Sequence, residues 1–494
     1  MSAAFLPRQK SNGDERPGLR TLVVGAGVAG RALARDLRDA PELGLWPIGF
    51  LDDDPAKTGA PGMPVLGTLA DLAAVALSDR VEIVIIAIPL LATEKFRETA
   101  RAAASVGASV RYLPRFIDAV ERDVVGSDVR NFDVRRLIGR DEWHVVSPDA
   151  GAVIEGKRVL VTGAGGSIGS ELCRQVYGFG PSSLFMLDHD ESNLHRLQLE
   201  LWGEAPLDSD DIIVADIRDR TRIDQLFAEL RPDVVFHAAA HKHLPLLERH
   251  PCEGVKSNVR GTEIVLDAAV RHGAERFILI STDKAADPAS ILGATKRLAE
   301  MLVQHTAGGT TTAAAVRFGN VLGSRGSLLT VLAEQMRSRH PVTVTHCDAT
   351  RFFMTIEEAV GLVLEAGRMA KGGEIFVLDM GDPVRIVDVV QSFAAQVHMH
   401  DYEIRFTGLR PGEKLNEALF SEQESCVPTE HPRVFKTLGE APPATFRTSL
   451  GSLYAAARAN DVATVRSLLT SMLPGYVPRL LEVPATAAPY ADDF

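Results

Sequence analysis

Twice along its 494 residues the chain runs an apolar stretch into closely spaced glycines and then into a helical pattern. The first copy, Thr21-Leu22-Val23-Val24-Gly25-Ala26-Gly27-Val28-Ala29-Gly30-Arg31, carries GxGxxG and leads to a second apolar stretch ending Gly49-Phe50-Leu51-Asp52-Asp53-Asp54. The second, Arg158-Val159-Leu160-Val161-Thr162, enters TGxxGxxG at Gly163, Gly166 and Gly169. A buried strand that turns sharply into a helix opens a doubly wound α/β fold. The sequence therefore predicts two tandem Rossmann-type parallel sheets.

The first copy continues through Val81-Glu82-Ile83-Val84-Ile85-Ile86-Ala87-Ile88, apolar apart from Glu82, as a strand buried on both faces should be, and Pro89 ends it. Residues 19–110 are expected to form a small N-terminal Rossmann-like domain behind a disordered tail, 1–18. Its glycines serve either a bound nucleotide or the turn alone, since any tight strand-to-helix turn wants them. Residues 111–150 carry many charges with little periodicity and read as a connector. The second copy opens a larger domain, 151–438, whose last third supplies a substrate-binding lobe. Beyond it, 439–494 holds a Pro-rich link and two helical stretches, one from Leu450 to Arg458 and one after the N-cap residue Asp461. These are expected to pack or to join copies of the chain into a homo-oligomer.

The formal net charge of −12 argues against nucleic acid as a main partner, because phosphate binding needs a basic surface. Cys173, Cys252, Cys347 and Cys426 lie far apart with no CxxC, supporting neither a disulfide framework nor a zinc ribbon. The stretch from Met1 to Gly18 lacks an apolar signal core, and the longest apolar run, Val81 to Ala92, is too short for a bilayer. A cytoplasmic chain without a membrane span is expected.

Around the second glycine turn the residues suit a dinucleotide. Gly163, Gly166 and Gly169 let the backbone approach a pyrophosphate, whose charge is favoured by the start of the helix at Ser167-Ile168. The next strand ends at Asp188, placed to accept hydrogen bonds from a ribose diol. Asp190 and Glu191 behind it would repel a ribose phosphate, which favours NAD over NADP. Ile212-Ile213-Val214-Ala215-Asp216-Ile217 offers a third strand with a polar tip near the adenine, and Val234-Val235-Phe236-His237-Ala238-Ala239-Ala240 a fourth whose small residues let a cofactor lie close.

The chemistry falls to Ser281-Thr282-Asp283-Lys284-Ala285, at the end of the apolar run Phe277-Ile278-Leu279-Ile280. An adjoining acid and amine can remove one proton and deliver another in the same turnover. The competing reading is a buried ion pair without chemistry. His237, His241 and His243 lack the accompanying carboxylates or cysteines of a metal site, so no metal is expected.

Together these segments resemble the extended short-chain dehydrogenase/reductase family and, within it, the UDP-N-acetylglucosamine 4,6-dehydratases of its polysaccharide-biosynthesis branch. The resemblance is carried by His237-Ala238-Ala239-Ala240-His241-Lys242-His243-Leu244-Pro245, Ser281-Thr282-Asp283-Lys284-Ala285, Gly293-Ala294-Thr295-Lys296-Arg297, Arg317-Phe318-Gly319-Asn320-Val321-Leu322-Gly323-Ser324, Arg351-Phe352-Phe353-Met354-Thr355 and Leu409-Arg410-Pro411-Gly412-Glu413-Lys414. It runs from the connector to about Phe420, and the N-terminal domain resembles the soluble half that precedes it in the large members. Those usually carry N-terminal membrane helices; this sequence is similar to a form without them.

The resemblance implies NAD-dependent dehydration of a UDP-sugar. Hydride leaves C4, Lys284 takes the C5 proton, Asp283 protonates the departing 6-hydroxyl, and hydride returns at C6. Lys284 acts as base only if its pKa is lowered, which is expected of a partly desolvated cleft and neighbouring Lys296. Lys296 matches the lysine of YxxxK and would hold the nicotinamide ribose. Leu292 stands where the tyrosine is usual and where the large dehydratases often have methionine; Thr282 would then bond the 4-hydroxyl, with its proton leaving through Lys296 or water. Substrate contacts are implied for Lys242, Asn320, Ser324, Arg325, Arg410, Glu413 and Lys414. Two rivals remain: a nucleotide-sugar 4-epimerase, which has no use for Asp283-Lys284, and a noncatalytic nucleotide-sugar sensor, which Leu292 favours.

Overall fold

The computed structural model describes residues 19–39, 45–88, 93–106, 108–112, 148–203, 205, 209–324, 326–396, 399, 401–438 and 442–476. The chain divides into two compact units, Met1–Arg130 and Asn131–Phe494. In the first, β1 (Leu19–Val24), β2 (Leu45–Leu51), β3 (Val65–Gly67), β4 (Ile83–Ile86) and β5 (Ser109–Tyr112) form a parallel sheet in the order β3-β2-β1-β4-β5. Leu22, Val23 and Val24 are fully buried, so β1 is covered on both faces, as a strand between two helical layers must be. Strand β4 is shorter than its apolar run, because Val81 closes the preceding helix onto Ala76 O before pairing starts. Pro89 and most of the expected connector lie outside the described residues.

The second unit is built on β6 (Arg158–Thr162), β7 (Ser183–Asp188), β8 (Ile212–Val214), β9 (Val234–His237), β10 (Arg276–Ile280) and β11 (Thr312–Arg317). Its lobe adds β12 (Asn320–Leu322), β13 (Val342–Val344), β14 (Thr350–Arg351), β15 (Phe353–Thr355), β16 (Ile375–Leu378), β17 (Val384–Arg385), β18 (Ile404–Phe406), β19 (Ser425–Pro428) and β20 (Val434–Leu438). Nine strands make one sheet, β19-β20-β16-β11-β10-β9-β6-β7-β8, parallel except where β20 pairs with β16 and β19. Side chains alternate faces along a strand. Accordingly Phe277 and Leu279 of β10 join one apolar layer and Ile278 and Ile280 the other.

Three short strand pairs, β12 with β15, β13 with β18 and β14 with β17, frame the lobe around a separate core that includes Leu332, Met336, Val342 and Phe393. The C-terminal helices Phe446–Arg458 and Val462–Met472 follow, the second capped as expected by Asp461, whose side chain accepts from Thr464 N at 3.0 Å. Leu450, Leu453, Val465 and Leu469 share one core with Ile264 and Leu298, so these helices pack as part of the second unit. Among the described residues no helix is long and apolar enough to cross a membrane.

Candidate active site

Strand register aligns Leu187, Thr162, His237 and Leu279 in one row across β7, β6, β9 and β10. The loops leaving this row all emerge at one edge of the sheet. Strand order reverses between β6 and β9, and a crevice at such a switch point is where open α/β sheets take ligands. Gly163 turns with φ +70° into the helix Ser167–Gly178, and a Cβ on Gly169 would lie 1.9 Å from Gly163 O. Only a glycine permits that approach, so Gly169→Ala is expected to cost ~1–3 kcal/mol. Thermal melts with and without NAD should show lower stability and a smaller ligand-induced rise.

Asp188, 7% exposed at the end of β7, accepts from Gly165 N at 2.9 Å, which ties the acid to the glycine turn. Ala238 N donates to Thr162 O at 3.0 Å, and a Cβ on Gly163 would meet Ala239 N at 2.6 Å, so the turn and the β9 loop pack backbone to backbone. Asp216 is engaged by Arg218 at 2.7 Å, and Ile217 packs under Gly261. His237 is fully buried; its Nδ1 lies 2.7 Å from Thr162 Oγ1 and its Nε2 3.0 Å from Thr262 Oγ1. Thr262 already donates to Asn258 O, so Nε2 carries the imidazole proton. Burial, then the charge of Lys296, depresses the His237 pKa to about 3, and the ring is a neutral cross-link between strands.

The acid and amine follow β10, which lies two strands from β6, about 10 Å across the sheet. Asp283 Oδ1 accepts from Lys284 Nζ at 2.9 Å and from Thr282 Oγ1 at 2.9 Å, while Asp283 Oδ2 is buried with no hydrogen-bond partner. Lys284 Nζ also donates to Asn320 Oδ1 at 3.2 Å, bringing the lobe's first strand to the pair. The Asp283 side chain is 0% exposed and that of Lys284 18%, so the competing ion-pair reading is physically realised here. An orphaned buried carboxylate oxygen is not what a purely structural pair leaves behind.

The expected lowering of the Lys284 pKa is reversed. Burial alone would depress it, but the carboxylate of Asp283 and then that of Glu417 outweigh burial and hold it above the usual amine value. Lys296, 7% exposed, is the amine that burial depresses, to about 8, with Glu300 opposing. Its Nζ donates to Ile280 O at 2.9 Å, one residue before Ser281. Leu292 sits one turn before Lys296 on the helix Ile291–His305 and is 5% exposed within an apolar core. The same helix packs so tightly on the turn carrying Asp283 and Lys284 that a Cβ on Gly293 would lie 2.3 Å from Lys284 O.

The remaining candidates divide. Asn320 reaches the pair, Ser324 is 7% exposed, Lys242 and Arg410 are exposed, and Arg325 lies outside the described residues. Glu413 accepts from Arg351 at 2.8 Å and from Thr345 Oγ1 at 3.0 Å within the lobe, and Lys414 pairs with Asp287 at 2.7 Å, tying the lobe to the turn after Lys284. Sequence reasoning missed Glu417. Burial raises its pKa, opposed first by Lys284, and Asp283 adds to the rise, which makes it a third titratable group beside the pair. Its only signal was position, three residues after Lys414 on the same turn-rich segment.

A glycine turn tied to an acidic strand end, with an acid–amine couple along the same sheet edge, defines a Rossmann-type protein equipped for proton chemistry. The chain belongs to the family described as polysaccharide biosynthesis protein, whose model matches residues 159–438; a model described as CoA-binding domain matches residues 3–114. It is 40% identical over 427 residues to the probable polysaccharide biosynthesis protein EpsC of Bacillus subtilis, covering 84% of this chain and 70% of that one. A UDP-N-acetylglucosamine 4,6-dehydratase (inverting) of Campylobacter jejuni is 32% identical over 56% of this chain and 80% of its own length. A UDP-glucose 4-epimerase of Rickettsia rickettsii is also 32% identical, over 54% of this chain and 79% of its own.

Proposed function

We propose that the second unit is an NAD-dependent dehydratase that converts UDP-N-acetylglucosamine to a UDP-4-keto-6-deoxy-N-acetylhexosamine for polysaccharide or glycan synthesis. The observation that carries this reading is the buried Asp283–Lys284 couple with Oδ2 left open. Gly163, Gly166 and Gly169 with the start of the helix at Ser167-Ile168 fit the pyrophosphate of NAD, and Asp188 fits its ribose diol. Asp216 and Ile217 would lie on the adenine side, Ala238 and Ala239 are small enough for the cofactor to lie close, and Lys296 would meet the nicotinamide ribose. When bound, NAD supplies the hydride acceptor and donor for the sugar.

Asp283 and Lys284 then divide the proton work. As a carboxylate and an ammonium they are joined by a 2.9 Å hydrogen bond along which one proton can pass. Moving it from Lys284 to Asp283 gives the neutral amine that takes the C5 proton and the acid that protonates the departing 6-hydroxyl. A sugar filling the cleft expels water and favours that neutral form, because separated charges gain most from solvent. Thr282 and Lys296 would receive the 4-hydroxyl proton in place of the tyrosine that Leu292 replaces. Lys242, Asn320, Ser324, Arg325 and Arg410 are the proposed contacts for the uridine diphosphate.

The 4-epimerase reading shares the fold, and one relative of equal identity bears that name. An epimerase leaves the C5 proton in place, however, and gives Asp283 and Lys284 nothing to transfer. Incubation with UDP-N-acetylglucosamine in heavy water separates the two. Dehydration gives a C6 methyl and deuterium at C5 by NMR; an epimer without deuterium, or unchanged sugar, rules the proposal out.

Two pH effects follow. With a Lys296 pKa near 8, the neutral amine forms as pH rises through that value, so the first burst of NADH absorbance should rise with an inflection at about 8. A flat burst from about pH 6 to about pH 9 would remove Lys296 from the relay. Glu417→Gln deletes a negative charge that favours ammonium on Lys284, so the acidic limb of kcat/KM should move to lower pH. An unmoved or upward-shifted limb would separate Glu417 from Lys284.

A further inference from the structure

A cleft of about 340 Å³ opens where the helix Phe446–Arg458 lies against the helical run 251–271. Arg218, Arg220, Lys256, Arg260 and Arg458 line it, and no acidic side chain does. The floor is apolar, with Val255 and Ile264 only 0% and 3% exposed. Tyr454 completes it, under the guanidinium of Arg260 at 4.8 Å, with its hydroxyl buried beside Glu263.

The acids stand behind this wall. Glu253 holds Lys256 at 2.8 Å and Arg218 at 3.2 Å, Glu263 holds Arg260 at 3.0 Å and Arg447 at 2.7 Å, and Asp267 holds Arg220 at 3.2 Å. With Asp216 on Arg218, four acids face six cations, a local positive excess in a chain whose net charge is −12. A lattice that only pinned the C-terminal helices would close on itself. Here Arg458 has no partner among the described residues.

We propose that this cleft is a binding site for a phosphorylated small molecule, with its phosphate taken by the arginine rim and its body resting on the Val255–Tyr454 floor. The volume suits a nucleotide or sugar phosphate. Arginine forks match phosphate oxygens, and the cavity's cations present them from three directions: the loop after β8, the helical run and the C-terminal helix. Arg218 belongs both to this rim and to the Asp216 loop, so occupancy competes for the Arg218–Asp216 pair. That coupling rests on the proposed NAD reading; the binding itself does not.

The test is calorimetry on the full chain. NAD is added first to saturation, and its heat reports the nucleotide reading separately. Inorganic pyrophosphate is then titrated. One saturable site per chain that depends on Arg458 is expected, weakened about tenfold or more by Arg458→Glu and unchanged by the remote exposed charge reversal Lys371→Glu. Absence of saturable binding, or equal affinities in the two variants, overturns the proposal. Arg458 is exposed and unpaired, so its variant is expected to fold, which a thermal melt verifies.

Discussion

Lys284→Gln is expected to lower solvent exchange at C5 of the sugar by about a thousandfold, because it removes the amine held on Asp283 while leaving a donor in its place. The choice of glutamine matters. Lys284→Ala would strand the Asp283 carboxylate, 0% exposed, without a partner, and the lost stability would obscure the lost chemistry. An amide still donates to Asp283 and Asn320 but takes no proton from carbon. Oxidation at C4 does not need that proton to move, so the NADH burst should survive while loss of the C5 proton signal in heavy water stops. Exchange retained within about tenfold would show that another group is the base, and Glu417 would be the first to examine.

Arg317→Leu should produce the largest loss of stability. Its guanidinium is 0% exposed and donates to Glu300 at 2.7 Å through both Nε and Nη2, and to Glu424 at 2.7 and 2.9 Å. Glu300 further accepts from Ser281 Oγ at 2.6 Å, so one buried network joins β11, the helix Ile291–His305, the lobe and the residue before Thr282. Removing the cation leaves two carboxylates buried, which costs ~3–5 kcal/mol. The melting temperature should fall by on the order of 10 °C. Arg317→Met combined with Glu300→Gln and Glu424→Gln should regain most of it, since neutral groups need no counter-charge; a loss below about 1 kcal/mol for the single change would contradict the network's role. Burial would raise the Glu300 pKa, but Arg317 more than offsets this and holds it low. The stabilisation is therefore complete above about pH 4.3 and is lost as pH falls through the lower folded value.

The glycine turns, the strand end at Asp188 and the position of Asp283-Lys284 were legible because each is a local pattern: an apolar run, then a breaker or a polar residue at its tip. What was not legible arrives from far along the chain. Glu417, which adds to Asp283 in raising the Lys284 pKa against burial, is brought in by a lobe segment fixed to β14 through Thr350 N to Leu415 O at 3.0 Å. Glu413 and Lys414 read as substrate contacts on a turn, and nothing local announced that Arg351 and Asp287 would pair with them. Arg317 sat inside a recognised motif, but nothing in that motif said it would be wholly buried. Strands β19 and β20 extend the sheet antiparallel through a short segment ending at Pro428, too brief and too polar to announce a strand.

The account stands on one intramolecular transfer, from C4 to C6 of a single sugar. UDP-N-acetylglucosamine carrying deuterium at C4, incubated with NAD and the enzyme in ordinary water, should yield a product with a singly deuterated methyl at C6. Deuterium retained at C4, in an epimer or in untouched substrate, would contradict it.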